Sequence, residues 1–337
     1  NTVFIRNRGA FYDGGACNIH HARICLIINS SLESNSARSK GGGMYLFNTK
    51  LSFVLDTLFM ANAVRKYGGG ISIFGDNGTL VSLKIENTQF INNTAIEHDG
   101  GGCYFHNIAI CSVINSSFEG NFVKNIGGAV KVVTAKILLI VNTKFLQNSA
   151  DYGGAMGLYD IMLVIFNNSQ LFWNNSTGAS LYLISVQSAM IAESNIGENK
   201  ATMGNGAIYS RFSLKFVILH CIFLKNQNEG GAGCLAIYDA SKTIIVGSRF
   251  LRNIAKNGAG IYSLLCKNIF IYKSYLKKNT AAYLGGSIYI EQNDNIIISK
   301  TFFHSNKARE GGAIYLKEFN FCKILFSFLL QNIGLNE

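Results

Sequence analysis

Proline is missing from all 337 residues, although an average chain carries about 5%. Charge is scarce as well: Asp, Glu, Lys and Arg make up 15% of the sequence. A long helical protein carries more charge and less Gly, Asn, Ser and Thr. No segment of useful length places apolar residues at helical spacing. No apolar run reaches the ~18 residues that cross a bilayer as a helix. The nearest, Phe319 to Leu330, is interrupted by Lys323. No CxxC spacing points to zinc. No dense basic run or nucleic-acid motif is present, so no nucleic-acid partner is expected. No signal-peptide pattern opens the chain. It begins at Asn1 and stops inside a repeat. We read it as one domain over 1–337, an excerpt of a longer protein. Any membrane contact then runs through parts outside it.

Glycine, at 35 residues, is what the sequence has in excess, and it is periodic. Triplets of small residues begin at Gly14, Gly41, Gly68, Gly100, Gly127, Gly153, Gly178, Asn205, Gly231, Gly258, Gly285 and Gly311. Most are 25–27 residues apart, with one gap of 32. A second column runs in phase, an apolar residue followed three later by Asn. Examples are Phe59/Asn62, Phe90/Asn93, Phe145/Asn148, Phe172/Asn175, Phe250/Asn253 and Phe303/Asn306. Two columns with one period establish a repeat.

Each repeat is too short for a helix pair or a propeller blade. It holds three strand-like pieces, such as Ser287 to Glu291, Asn295 to Ser299, and the stretch around Phe302 and Phe303 that ends at Asn306. These features predict an all-β, right-handed parallel β-helix of about 12 coils of 26–27 residues, three strands per coil. The first and third residues after each triplet are mainly apolar and should face inward, because alternate strand residues share a face. The last triplet position is Gly, Ala or Ser throughout, as a close backbone approach requires. Asn, tolerant of left-handed φ, should turn the chain and ladder along the stack. The preceding Phe should stack inside. The long gap contains Gly75-Asp76-Asn77-Gly78, which predicts an outward loop. An irregularity is expected near Gly178, whose repeat lacks the Gly pair.

The pairing of Gly127-Gly128-Ala129-Val130 and Gly311-Gly312-Ala313-Ile314 with Phe90-Ile91-Asn92-Asn93, Phe145-Leu146-Gln147-Asn148 and Phe250-Leu251-Arg252-Asn253 resembles the polymorphic outer-membrane protein family. The resemblance covers nearly the whole chain. It implies a pectin-lyase-like β-helix in an autotransporter-like surface protein or adhesin. The family's C-terminal β-barrel is not visible in this sequence.

Pectin-lyase-like folds also host polysaccharide lyases and glycoside hydrolases, so a carbohydrate-active enzyme is the alternative reading. Such chemistry needs clustered carboxylates. Asp13, Asp99 and Asp151 precede Gly pairs but fall in separate coils, and Asp160 and Asp239 are also several coils apart. They read as turn carboxylates, and no catalytic, cofactor or metal site is expected. His20-His21 reads as an exposed turn. The eight cysteines read as small core hydrophobes, with Cys17–Cys25 and Cys103–Cys111 as conceivable in-coil pairs.

The candidate functional feature is a tyrosine column at the second residue after the triplet. It holds Tyr45, Tyr104, Tyr182, Tyr209, Tyr262, Tyr289 and Tyr315, interrupted at Leu235. Facing outward, Tyr182, Tyr209, Tyr262, Tyr289 and Tyr315 form a candidate contact strip for glycans or cell-surface proteins. Sequons begin at Asn29, Asn77, Asn92, Asn115, Asn167 and Asn174, candidates for N-glycosylation if the cell has the machinery. Asn175 also begins one but is expected in the buried ladder. The net charge of +11 is read as solvated turns, or as attraction to acidic glycans or lipid headgroups. Together these point to a non-catalytic surface or secreted β-helix acting as an adhesive or stalk module.

Overall fold

The computed structural model describes residues 2–9, 12–76, 78, 80–203 and 205–335. The chain is an all-β parallel β-solenoid of about 12 turns, without helix among the described residues. It divides into two compact units. The first comprises Asn1–Ile165 and Asn174–Ser176, and the second Phe166–Trp173 and Thr177–Glu337. The boundary falls beside the repeat that lacks its Gly pair.

Both units are built from three parallel sheets, but the coil is cut differently from the sequence expectation. The first two strand-like pieces lie in one sheet. In the first unit they merge into strands such as Cys103–Ile114 and Val130–Val141, paired in register from Cys103↔Val130 to Ile114↔Val141. In the second unit Ile288–Ser299 and Ile314–Leu325 do the same. The second sheet carries the Phe column on three-residue strands such as Gln89–Ile91 and Ser117–Glu119. The third sheet is made of short strands after the ladder Asn, such as Thr94–Ala95 and Phe122–Val123. Two residues offer no periodicity, so these strands are silent in the sequence.

The core is a set of stacked columns. In the first unit Phe59, Phe90, Phe118 and Phe145 are fully buried. Their rings are near parallel, with centroids 4.8, 4.7 and 5.0 Å apart in succession. In the second unit Phe223 and Phe250 stack at 4.6 Å. The spacing is that of neighbouring strands, which the parallel register imposes on every side chain. The small-residue triplet reflects the same closeness. At Gly127 φ is +77°, and a Cβ on Gly128 would run into the Gly154 carbonyl.

The Asn ladder forms, with a change of role. In the first unit Asn35, Asn62, Asn93, Asn121, Asn148 and Asn174 are linked. Each amide nitrogen donates to the Oδ1 of the next at 3.0–3.1 Å. Asn199, Asn226, Asn253, Asn279, Asn306 and Asn332 do so in the second unit, at 2.8–3.1 Å. The ladder residues do not make the left-handed turn. The residue before each does, as at Asn92, Gln147, Arg252 and Lys278, with φ of 53°, 55°, 56° and 54°. The ladder Asn instead spends its amide on buried backbone, Asn148 Nδ2 donating to the Phe118 carbonyl at 3.0 Å. That capping explains why only Asn serves.

Two register assignments are corrected. The ladder member is Asn174, fully buried, and not Asn175, which is exposed. The column residue before it is correspondingly Leu171, also fully buried. The repeat read as starting at Gly231 starts at Ala232, since Ile208 pairs with Leu235 and Asn205 bridges Ala232. Cys234 therefore occupies the small-residue column, its thiol 3.0 Å from the Gly260 carbonyl.

Sequence reasoning missed a column two residues before the Phe position. Thr57, Thr88, Ser116 and Thr143 fill it in the first unit, and Ser194, Ser248, Ser274 and Thr301 in the second; all are buried. Their hydroxyls accept backbone N–H groups of the adjacent coil, as from Thr88 to Ser116 Oγ at 3.2 Å. Only Cys221 breaks the series. The loop expected at Gly75 to Gly78 is where the longest repeat carries its extra residues. Asp76 there exchanges hydrogen bonds with the Asn48 side chain at 2.6 and 2.7 Å.

Candidate functional site

In the second unit the tyrosine column sits on the outer side of the long sheet, opposite the core. Tyr182 and Tyr209 stack at 4.8 Å and 12°, and Tyr262 and Tyr289 at 4.9 Å and 11°. Tyr289 and Tyr315 are parallel at 5.5 Å. The interruption is closed by a residue the sequence reading did not select. With the corrected register Ala236 stands in the tyrosine column, opposite Tyr209 and Tyr262. Tyr238, two residues on along the same face, leans into the gap. Its ring lies 5.2 Å from Tyr209 and 5.6 Å from Tyr262. The strip is thus six rings without a break. The missed signal was the one-residue slip at Ala232.

The rings point outward but are not open to solvent, which revises the expectation of an exposed strip. Tyr209 and Tyr289 are each only 6% exposed, and Tyr182, Tyr238, Tyr262 and Tyr315 are half-buried. Stacking at strand spacing hides ring faces against each other. Ala179 and Ala232 pack against the tyrosines from the small-residue side, and Ala236 from within the column. Hydroxyls on this face have side-chain partners: Tyr238 Oη donates to Asn205 Oδ1 at 3.3 Å. Tyr289 Oη donates to Glu291, which also pairs with Lys317 at 2.7 Å. The Lys317 ammonium and the Tyr289 hydroxyl hold the Glu291 carboxyl below its ordinary value. Burial pushes the Tyr209, Tyr238, Tyr262 and Tyr289 phenols up, so they remain donors at physiological pH.

The corresponding face of the first unit is mixed. Tyr45, Phe74 and Tyr104 are in edge and stacked contact at 5.8 and 5.1 Å. The Lys40 ammonium lies 4.5 Å from the Phe74 ring centre. Lys131 takes the tyrosine position in the next coil and pairs with Asp99 at 2.9 Å. Both are under a tenth exposed. Asp99 is therefore a buried ion-pair partner rather than a free turn carboxylate. Asp13 faces Lys40 at 3.9 Å, and Asp239 in the second unit pairs with Arg211 at 3.0 Å. Each of these three carboxylates has its own cation.

All eight cysteines are free thiols. Burial pushes Cys25 up to about 11 and Cys111 up to about 12, so both stay protonated. Of the sequon residues, Asn29, Asn92 and Asn115 are exposed on turns with φ of 47°, 53° and 49°. Asn167 is half-buried at a strand end, and Asn77 lies outside the described residues. Asn174 is no glycosylation site: it is fully buried and its Nδ2 donates to the Phe145 carbonyl at 2.9 Å. Asn175 is the exposed one of that pair.

No family model matches the chain, and no solved structure does. A stretch of 154 residues, 45% of the chain, is 29% identical to the metabotropic glutamate receptor-like protein R of Dictyostelium discoideum, of which the match covers 9%. The chain is therefore similar to a small part of a much longer protein.

Proposed function

We propose that the chain is a non-catalytic β-solenoid module of a cell-surface or secreted protein, and that the outer edge of its tyrosine strip contacts glycans or proteins of a facing surface. The observation that carries this reading is the continuity of the six-ring strip. Where the tyrosine column lapses at Ala236, Tyr238 restores it from a neighbouring position. The rings lie outside the core, so filling the interior does not require the repair. Stacking leaves the hydroxyl edge as the part able to meet a ligand. The repeat motifs shared with surface proteins support the setting, as does a relative named receptor-like.

The test is a glycan array probed with the purified chain and with a Tyr262→Phe/Tyr289→Phe/Tyr315→Phe variant. Phenylalanine keeps the stack and removes the hydroxyl edge. The parent should bind one or more glycans, and the variant should lose that binding while its unfolding midpoint stays close to the parent's. Equal binding by the two proteins would sink the strip as a contact edge.

A further inference from the structure

The second unit has a strongly cationic corner that the tyrosine strip does not involve. From Lys242 to Ile290 the sequence has eight Lys or Arg and no Asp or Glu. Folding gathers several of them between two turn columns. On one turn Gly247, Lys273 and Lys300 follow each other in consecutive coils, fixed by Gly247 N to Tyr272 O, Lys273 N to Ser299 O and Lys300 N to Leu325 O bonds. On the other turn stand Arg252 and Lys278. Between them run the strands Arg249–Leu251 and Tyr275–Lys277, with Arg249 opposite Tyr275 and Leu251 opposite Lys277. Arg249, Arg252, Lys273, Lys278 and Lys300 are exposed.

Like charges in one column on neighbouring coils sit about 4.8 Å apart and repel. Some cations of the second unit are neutralised, as Lys225 is by Glu198 at 3.3 Å and Arg211 by Asp239. Among the described residues, none of Arg249, Lys273 and Lys300 has a carboxylate partner. Instead Lys273 and Lys300 flank an aromatic ring. Lys273 and Lys300 stand 5.2 and 5.6 Å from the Tyr272 ring centre, and Tyr275 stacks on Phe302 at 5.2 Å. The ammonium of Lys300, with Lys273 behind it, lowers the Tyr272 phenol below its ordinary value. In this column Gly247 stands between His220, whose ring packs against it, and Lys273, and beside it runs a groove lined by Ser248, Arg249, Lys273 and Tyr275.

We propose that this corner is a binding site for an acidic polysaccharide: Arg249, Lys273 and Lys300 take its sulfate or carboxylate groups, and Tyr275 packs against a sugar ring. Lys273 and Lys300 repeat at strand spacing on one turn, and Arg252 and Lys278 on the other, an arrangement suited to a chain whose charges also repeat. Arg offers its guanidinium fork to such an anion and Lys a point charge. Interleaved aromatic rings suit the apolar face of a pyranose. The site lies on a different face from the tyrosine strip and stands or falls separately from it.

The experiment measures heparin affinity by titration for the parent chain, for Arg249→Gln/Lys273→Gln/Lys300→Gln, and for Arg23→Gln/Lys50→Gln/Lys66→Gln. The second variant removes the same charge from exposed cations of the first unit. The corner variant should weaken heparin binding about tenfold or more, and the control less than twofold. All six residues are exposed, so circular dichroism should be unchanged. Equal losses in both variants would reduce the effect to net charge and overturn the site. So would a parent that ignores heparin, or one that prefers phosphatidylserine vesicles to it.

Discussion

Asn253 shows what one residue does in this fold. Its Oδ1 accepts from the Asn226 backbone N–H at 2.9 Å and side chain at 3.1 Å. Its Nδ2 donates to the Phe223 carbonyl and to Asn279 Oδ1, both at 3.0 Å. Only an amide supplies two N–H donors and a carbonyl acceptor on separate atoms from so short a side chain. Asn253→Ala leaves the buried Asn226 N–H without an acceptor, at about 1–3 kcal/mol, and removes the side-chain donor from the Phe223 carbonyl. We expect a loss of about 3 kcal/mol in urea unfolding, with an unchanged dependence on urea. At the partly exposed Asn332 the same substitution should cost about 1 kcal/mol, because water replaces the lost partners. Equal costs at the two positions would mean that the ladder's burial is not what gives it value.

At the scale of the strand, register decides which residues meet. Tyr238→Ala should open the aromatic strip at its middle and cost about 2 kcal/mol, the sum of lost ring contacts and a partly filled gap. Ala236→Tyr/Tyr238→Ala moves the ring into the column itself and should recover at least half of that loss. A double variant less stable than the single one would show that Tyr238 is not standing in for a column tyrosine. The same slip marks the limit of what the sequence made legible. The period, the Phe stack, the Asn ladder and the small-residue column all follow from types that recur at fixed spacing. Cys234 and Ala236 escaped because Gly231, Ala232 and Gly233 are all small, so the triplet aligned equally well one residue early. Asn174 and Asn175 were exchanged for the same reason, two adjacent Asn offering two registers. The Ser and Thr column escaped because hydroxyl residues also populate turns, where they carry little pattern. The hidden ring faces of the tyrosine strip were not readable at all, since alternation gives direction but not cover.

For the whole molecule the relevant fact is repetition within two units, each with its own Phe stack and Asn ladder. Stability in such chains is close to a sum of coil terms and nearest-neighbour terms. A lesion should therefore spread to adjacent coils and fade. Phe118 is fully buried between Phe90 and Phe145. Phe118→Ala leaves a cavity that the fixed strand spacing cannot close, at about 3–5 kcal/mol. Hydrogen exchange followed by mass spectrometry reads the result coil by coil. Amides of Gln89–Ile91 and Lys144–Leu146 should exchange much faster in the variant. Those of Arg249–Leu251, beneath the Phe223 and Phe250 stack of the second unit, should keep the parent's protection. If protection instead falls equally in both units, the chain unfolds as one cooperative body, and the division into two units does not govern its stability.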